Sequence, residues 1–253
     1  MNLTPTVKAA VSHATRLRIP HLMVAWAVLA FAATPLARHA TLGAPARGGA
    51  DWVLASGWLA TSAAALVLGI LVAQTTSVDD LLVARGHAAR RCLAARWVGA
   101  AIGAVLAAIL AGSTYVVSAL AWSLPLSPTI LQWTGLLVLE SLVIASAGCL
   151  LGRLARSSVA IAAGAVLFVV GHLADETAAL ARAGDTAIPW LFVVLPDLDR
   201  FNAHAAVLTS SPLQTSTLVT AVLLAVCWTT ALVGSALWVT EDTNSRSTQE
   251  PRS

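Results

Sequence analysis

The sequence predicts an all-α membrane protein that crosses the bilayer several times. Of its 253 residues, 58% are hydrophobic and 11% are charged, and the mean hydropathy is +0.80. An ordinary soluble domain carries about 25% charged residues. Transmembrane β-strands would alternate apolar and polar residues over about ten positions, whereas runs such as AAIGAVLAAILAG are apolar or small on every side. Apolar runs long enough to cross a hydrocarbon core of roughly 30 Å as a helix predict six spans, at 20–37, 52–73, 97–121, 130–152, 157–174 and 213–239.

The segments before and after these spans are polar. In residues 2–20, Val7, Ala10, Val11, Ala14 and Leu17 recur at spacings of three and four. This periodicity predicts an amphipathic interfacial helix, and the alternative is a solvated basic lead-in. The first apolar run is as long as a full span, which favours a retained helix over a cleaved signal peptide. Residues 240–253 are polar without periodicity and are predicted to be disordered.

The basic residues predict the orientation. With a cytoplasmic amino terminus, most of the 15 Lys and Arg residues fall on the inner side, as the positive-inside rule requires. Both termini are then cytoplasmic. No aromatic residues interleave the basic ones as a base-stacking surface would require, so nucleic acid is not an expected partner. The inner residues are Lys8, Arg16, Arg18, Arg85, Arg90, Arg91, Arg96, Arg153, Arg156, Arg246 and Arg252, and the outer ones are Arg38, Arg47, Arg182 and Arg200.

Two glycine pairs occur within the spans at a spacing of four, Gly99 with Gly103 and Gly148 with Gly152. Such small residues let neighbouring helix backbones approach closely in a bilayer. The three cysteines, Cys92, Cys149 and Cys227, have no paired spacing that would indicate a disulfide framework or a metal site.

A charged interruption, residues 78–96, separates the second and third spans. It combines an acidic pair, exposed leucines and four arginines. A loop that only obeyed the positive-inside rule would need the basic residues alone, and that simpler interpretation remains open. The mixture of apolar and charged residues favours a short cytosolic helix, with a turn at Gly86, that presents a docking surface.

The link between the fifth and sixth predicted spans is long and acidic, and it encloses the apolar octet IPWLFVVL at 188–195. Eight residues are too few to cross a bilayer. They can dip into it and return where the irregular backbone is buried against protein. The link is therefore expected to be an outward-facing, partly re-entrant segment.

This order of features resembles the permease subunit of type-2 ABC transporters (the ABC-2 family). The family has an amino-terminal interfacial helix, six spans, a cytosolic coupling helix between spans two and three, and a re-entrant outer link between spans five and six. The likeness covers nearly the whole chain. It rests on the acidic pair before Leu81 and Leu82, on Arg96-Trp97-Val98-Gly99 entering span three, and on PDLDRFN at 196–202, which is similar to a Pro-Asn-Leu-x-x-Phe-Asn signature. The chain departs from the family in having no proline between 77 and 96, and in having LWVTEDTNS at 237–245 where relatives often have a basic, arginine-containing end.

The resemblance implies a transport subunit, not an enzyme, in the cytoplasmic (inner) membrane of a bacterium. It implies two copies of an ABC ATPase as partners, which carry ATP and Mg, and a second permease copy or a homologous permease. A P-loop needs a lysine after a glycine-rich turn, and the only lysine, Lys8, follows NLTPTV. An exporter is expected. The residues assigned to ATPase coupling are Asp79, Asp80, Leu81, Leu82, Arg85, Arg90, Arg91 and Arg96, and those assigned to the outer link are Pro196, Asp197, Phe201 and Asn202.

Glu140 is the only acid inside a predicted span, and it lies near the midplane. Burying a carboxylate there costs about 2.5–3.5 kcal/mol, so it is expected to face protein or water or to be protonated. It is either a pathway residue or, as we favour, the partner in an interhelix hydrogen bond with a Ser or Thr of a neighbouring span.

Two other functions remain open from the sequence. His172, Asp175 and Glu176 share one helical face and, with His204, are candidates for an integral-membrane hydrolase site. There is no H-E-x-x-H motif, and no metal is expected. The other alternative is a membrane scaffold or accessory subunit that transports nothing and has no ATPase partner.

Overall fold

The structure is a computed structural model that describes residues 18–41, 44–74, 88–173 and 196–249, with side chains as far as Thr240. Most of the predicted interfacial helix, the apolar octet 188–195, and the coupling residues Asp79, Asp80, Leu81, Leu82 and Arg85 lie outside these residues. The described part of the chain is helical, with a single 3₁₀ turn at Asp199–Phe201. Its α-helices are α1 (Ile19–Ala40), α2 (Pro45–Ala73), α3 (Ala89–Trp122), α4 (Thr129–Leu154), α5 (Ser157–His172), α6 (His204–Thr209) and α7 (Thr215–Gln249).

Five of these helices, α1, α2, α3, α4 and α7, are long and apolar enough to cross a membrane. The chain is therefore built as a multi-pass helical membrane protein. The fifth predicted span, 157–174, corresponds to α5, which has 16 residues and is about 24 Å long. That length is short of the roughly 30 Å of a hydrocarbon core, so α5 is not among the five.

The ends of the helices follow from local sequence. Pro45 occupies the first turn of α2, where its missing N–H costs nothing. At the end of α3, Ser123 adopts a left-handed conformation with φ 52° and donates its backbone N–H to Ala119 O, and Pro125 follows. Likewise, Ser210 ends α6 with φ 54°, two residues before Pro212.

Two predicted boundaries need correction. The segment 240–253 was expected to be disordered, but α7 continues to Gln249. Residues 240–249 contain no glycine or proline that would end the helix, and extending an existing helix is far easier than starting one. The charged interruption was expected to end where span three begins at 97, yet α3 starts at Ala89, because AARRCLAARW contains mainly good helix formers.

The centre of the bundle is the pair α2 and α4. In their spanning windows 61% and 67% of the residues are buried, against 17% in α1 and 11% in α7. The outer helices expose large apolar side chains such as Leu36, Leu120 and Leu223, as surfaces that face lipid do. α3 packs beside α2 and α4, and α7 packs along α4.

Glycines bring α2 and α4 into backbone contact. A Cβ on Gly148 would lie 2.5 Å from Leu66 O, and one on Gly152 would lie 2.8 Å from Ile70 O. Gly69 faces Ala145 O in the same way from α2. The predicted pair Gly148 and Gly152 therefore allows a close helix approach. In the other predicted pair, Gly103 instead faces the Leu68 side chain.

The two ends of the bundle carry different polar groups. At one end, the "Arg96 end", Arg96 donates to Gln74 O (2.7 Å) and Arg153 donates to Ala73 O (3.1 Å), and Gln74 bonds to Ser157. At the opposite "Asp51 end", Arg38 donates to Trp122 O (2.5 Å) and Asp51 lies 3.0 Å from His204.

The close approach of α2 and α4 predicts a strong cost for Gly148→Ala. The added methyl group would press on the Leu66 carbonyl, and overpacking of this kind costs about 1–3 kcal/mol. The free energy of unfolding in detergent should fall by that amount. Gly135→Ala on the same helix is the matched control, because nothing lies within 4 Å of the added atom and alanine favours the helix. Equal effects of the two substitutions would contradict the backbone contact.

Candidate functional site

The candidate site surrounds Glu140, whose side chain is buried within α4 at 1% exposure. Trp58 Nε1 donates to both carboxyl oxygens, at 2.9 and 3.0 Å, and Ser62 Oγ donates to Oε1 at 3.4 Å. Both donors lie on α2, one helical turn apart. The expected interhelix hydrogen bond with a Ser or Thr is therefore present, and a tryptophan adds a shorter one.

The fourth member of the site is His172, in the last turn of α5. Its Nε2 lies 3.2 Å from Glu140 Oε1. The geometry of this contact does not meet that of a well-formed hydrogen bond. Among the described residues the buried Nε2 atom therefore has no hydrogen-bond partner. The separation is within ion-pair range, and in apolar surroundings two polar atoms at this distance interact strongly. We therefore treat the two side chains as a coupled pair.

Aromatic rings enclose the pair on the α2 and α5 side. The Trp58 indole and the His172 ring meet edge to face with centroids 4.6 Å apart, and Phe168 lies 4.5 Å from His172 and 5.0 Å from Trp58. The other ring nitrogen of His172, Nδ1, lies 2.8 Å from Phe168 O. The imidazole is therefore held by the Nδ1 contact and by the two neighbouring rings.

The depth of the site follows from helix lengths. From Glu140 to the end of α4 at Leu154 is 14 residues, and from Ser157 to His172 along α5 is 15 residues, so both side chains lie about 21–22 Å from the Arg96 end. Beyond Glu140, α4 continues to Thr129 for about another 16 Å. α5 thus ends about midway along α4.

Residues 196–202, which we name the cap, close the end of α5. Leu198 donates its N–H to Gly171 O at 3.0 Å, and Leu198 and Phe201 are 0% and 2% exposed. A Cβ on Gly171 would lie 3.0 Å from Pro196 O, so glycine is needed for this fit. Of the other link residues predicted as functional, Asp197 pairs with Arg200 at 2.6 Å, and Asn202 Oδ1 accepts the N–H of His204 at 3.1 Å.

The remaining predicted site residues are distributed over the bundle. Arg90 and Arg91 are exposed in the first turn of α3, and Arg96 binds the carboxyl end of α2. His172 faces Glu140, and Asp175 and Glu176 lie outside the described residues. His204 instead pairs with Asp51. Within the described ranges, no group of three His, Cys, Asp or Glu side chains is arranged to hold a metal ion, and no disulfide joins Cys92, Cys149 and Cys227.

Two residues of the site were not predicted from the sequence, Trp58 and Ser62. A signal for them was present, because they are four residues apart in an otherwise apolar run and so share a helical face. A buried indole N–H needs an acceptor, and Glu140 is the one acidic acceptor inside a span.

No family model matches the chain, and no curated protein matches it.

The two hydrogen bonds from Trp58 predict that Trp58→Phe is destabilising. The substitution removes the N–H that both oxygens of Glu140 accept, and losing a hydrogen bond to a buried charged or polar group costs about 1.5–3 kcal/mol. Denaturant unfolding of the purified protein would measure this loss.

Trp26→Phe is the control for ring size. Among the described residues the buried Trp26 Nε1 atom has no hydrogen-bond partner, so its removal breaks no hydrogen bond there. If both variants lost the same stability, ring volume and not the bond to Glu140 would be responsible.

Proposed function

We propose that the chain is the transmembrane permease subunit of an ATP-driven exporter of the ABC-2 type in the bacterial inner membrane. The observation that carries this proposal is the early end of α5 and the packing of the cap between α5 and α7. α5 stops about midway along α4, and the cap occupies the space beyond its end with Leu198 and Phe201 buried. A re-entrant outer link at this place in the helix order is what the resemblance implies.

The depth of the cap supports the proposal on physical grounds. Irregular backbone at membrane depth is tolerated only where protein or water satisfies its polar groups. In the cap, Gly171 O accepts from Leu198 N, Leu198 O accepts from Phe201 N, and Asp199 O accepts from Asn202 N. This segment therefore has the internal hydrogen bonds that a re-entrant segment requires.

The Arg96 end has features of a coupling surface. Arg90 and Arg91 are exposed there, at the start of a 34-residue helix that runs the length of the bundle. Arg96 connects the same helix to the end of α2 through Leu71 O and Gln74 O. A partner that pressed on residues 78–96 would thus act on α3 and α2 together.

In the proposed mechanism, two copies of a separate ATPase bind ATP and Mg and close together. They press on the Arg96 end and change the access of a pathway formed with a second permease copy or a homologous permease. This chain contributes no ATP site, since its only lysine lacks the glycine-rich turn of a P-loop.

Charge reversal at the proposed coupling surface tests the function. We expect Arg90→Glu/Arg91→Glu to weaken association with the ATPase about tenfold, equivalent to about 1.4 kcal/mol, because rim charges determine complementarity with a partner. ATP hydrolysis that co-purifies with the tagged chain from its native membranes is the measurement.

Arg47→Glu is the matched control. Arg47 is also exposed, but it lies at the start of α2, at the Asp51 end. The proposal expects Arg47→Glu to retain the co-purified hydrolysis. Absence of ATP hydrolysis from the wild-type preparation would instead favour the scaffold alternative, and equal loss in both variants would contradict docking at the Arg96 end.

A further inference from the structure

We propose that Glu140 and His172 bind one proton between them, and that the folded protein retains this proton within its membrane-spanning region at neutral pH. The inference does not depend on what the chain transports. It rests on the contact of His172 Nδ1 with Phe168 O, on the 3.2 Å separation of His172 Nε2 and Glu140 Oε1, and on the position of the pair about midway along α4.

The first step fixes the His172 tautomer. A carbonyl oxygen can only accept, so the 2.8 Å contact between His172 Nδ1 and Phe168 O requires a proton on Nδ1. Moving this proton to Nε2 would place the Nδ1 lone pair against those of the carbonyl oxygen. Nδ1–H is therefore committed to Phe168.

The second step concerns the other nitrogen. With Nδ1 protonated, a neutral imidazole presents the Nε2 lone pair to Glu140 Oε1 at 3.2 Å. Against an ionised carboxylate this contact would be repulsive. One proton removes the repulsion, either on Oε1 as a carboxylic acid or on Nε2 as an imidazolium.

The third step counts charge. With one proton, the pair has no net charge in either form, and moving the proton between Oε1 and Nε2 leaves the total unchanged. With no proton the pair is an anion, and with two it is a cation, and both are disfavoured among apolar helices. Glu140 and His172 are 1% and 11% exposed, so water does little to offset that charge.

Among the residues that the structure describes, one further charged group acts on the pair. Asp199 in the cap interacts electrostatically with His172. α2 contributes Trp58 and Ser62, which are uncharged donors. The ionisable groups on the other packed helices contact residues outside the pair. Tyr115 on α3 donates to Pro125 O, and Cys149 on α4 lies near Arg153 and Arg96. His204 on α6 faces Asp51, and Cys227 on α7 is exposed.

The bound proton has a measurable consequence for folding. In the unfolded chain, histidine loses its proton above about pH 6.5 and glutamate is ionised above about pH 4.3. Above about pH 6.5 the folded wild type then holds one proton more than its unfolded chain, so stability falls as pH rises. The variant Glu140→Gln/His172→Gln holds none in either state and serves as the reference.

The experiment compares the folding equilibrium constants of wild type and this double variant in detergent. We expect their ratio to be level between about pH 4.5 and 6.5 and to fall about tenfold per pH unit above 6.5. A ratio that is level above pH 6.5 would mean that the folded pair holds no proton, and would overturn the proposal. Adding Asp199→Asn to both proteins should leave the slope unchanged, and loss of the slope would assign the proton to Asp199 instead.

A second measurement keeps the proposal testable if the double variant does not fold. Infrared spectroscopy reports a protonated Glu140 carboxyl group, and the signal is assigned by its loss in Glu140→Gln. Nitrogen NMR of the wild-type histidines reports a protonated Nε2 on His172, and that signal is assigned by its loss in His172→Gln. At pH 7 we expect the two signals together to account for one proton. Asp51→Asn, which alters the other His–acid pair, should change neither signal. A total of zero or two protons would overturn the proposal.

Discussion

The structure depends on placing one carboxyl group, that of Glu140, among helices that lipid surrounds. Lipid cannot supply hydrogen-bond donors, so the protein must supply them at that depth. Trp58 and Ser62 on α2 do so, and His172 on α5 pairs with the same carboxyl group. For these groups to reach the carboxyl group, α2 must lie close to α4, which the glycines at 69, 148 and 152 allow. In addition, α5 must end near the level of Glu140. A single buried polar group thereby links three helices in one arrangement.

Arginine side chains donate hydrogen bonds to backbone carbonyl groups at the ends of the helices. The last carbonyl groups of a helix have no partner within it, and cations are favoured near that end. Arg96 and Arg153 bind the final turn of α2 and the residue after it, and Arg38 binds the final residue of α3. The basic residues that predict orientation in the sequence are therefore also structural. Because Arg96 lies on α3, the Arg96 end joins three helices, and a force applied there would act on all of them.

Much of the architecture was predictable because lipid imposes a simple rule on composition: a long apolar run becomes a helix. The same rule does not predict where the helix formed by a short apolar run ends, as α5 shows. Residues 157–174 contain no charge before His172 and Asp175, yet the helix ends at His172, where the cap packs against Gly171. The pairing of Glu140 with Trp58 and His172 was not predictable either, since it joins residues separated by 82 positions in one case and 32 in the other. Periodicity assigns a residue to a face of its own helix, but it does not identify which helix lies opposite.

The end of α5 within the bundle also affects the chemistry of the site. The carboxyl end of a helix carries a partial negative charge that favours a cation, and His172 lies in the last turn of α5. Gly171 O accepts from Leu198 N, and Phe168 O is the acceptor for His172 Nδ1, so one carbonyl group at this negative end contacts the imidazole directly. Had α5 continued to the Asp51 end, the same histidine would be in mid-helix, and the partial charge would lie about a further 16 Å away. The early end of α5 thus places a helix terminus, a histidine and a carboxyl group at one depth, an arrangement that favours retaining a proton there.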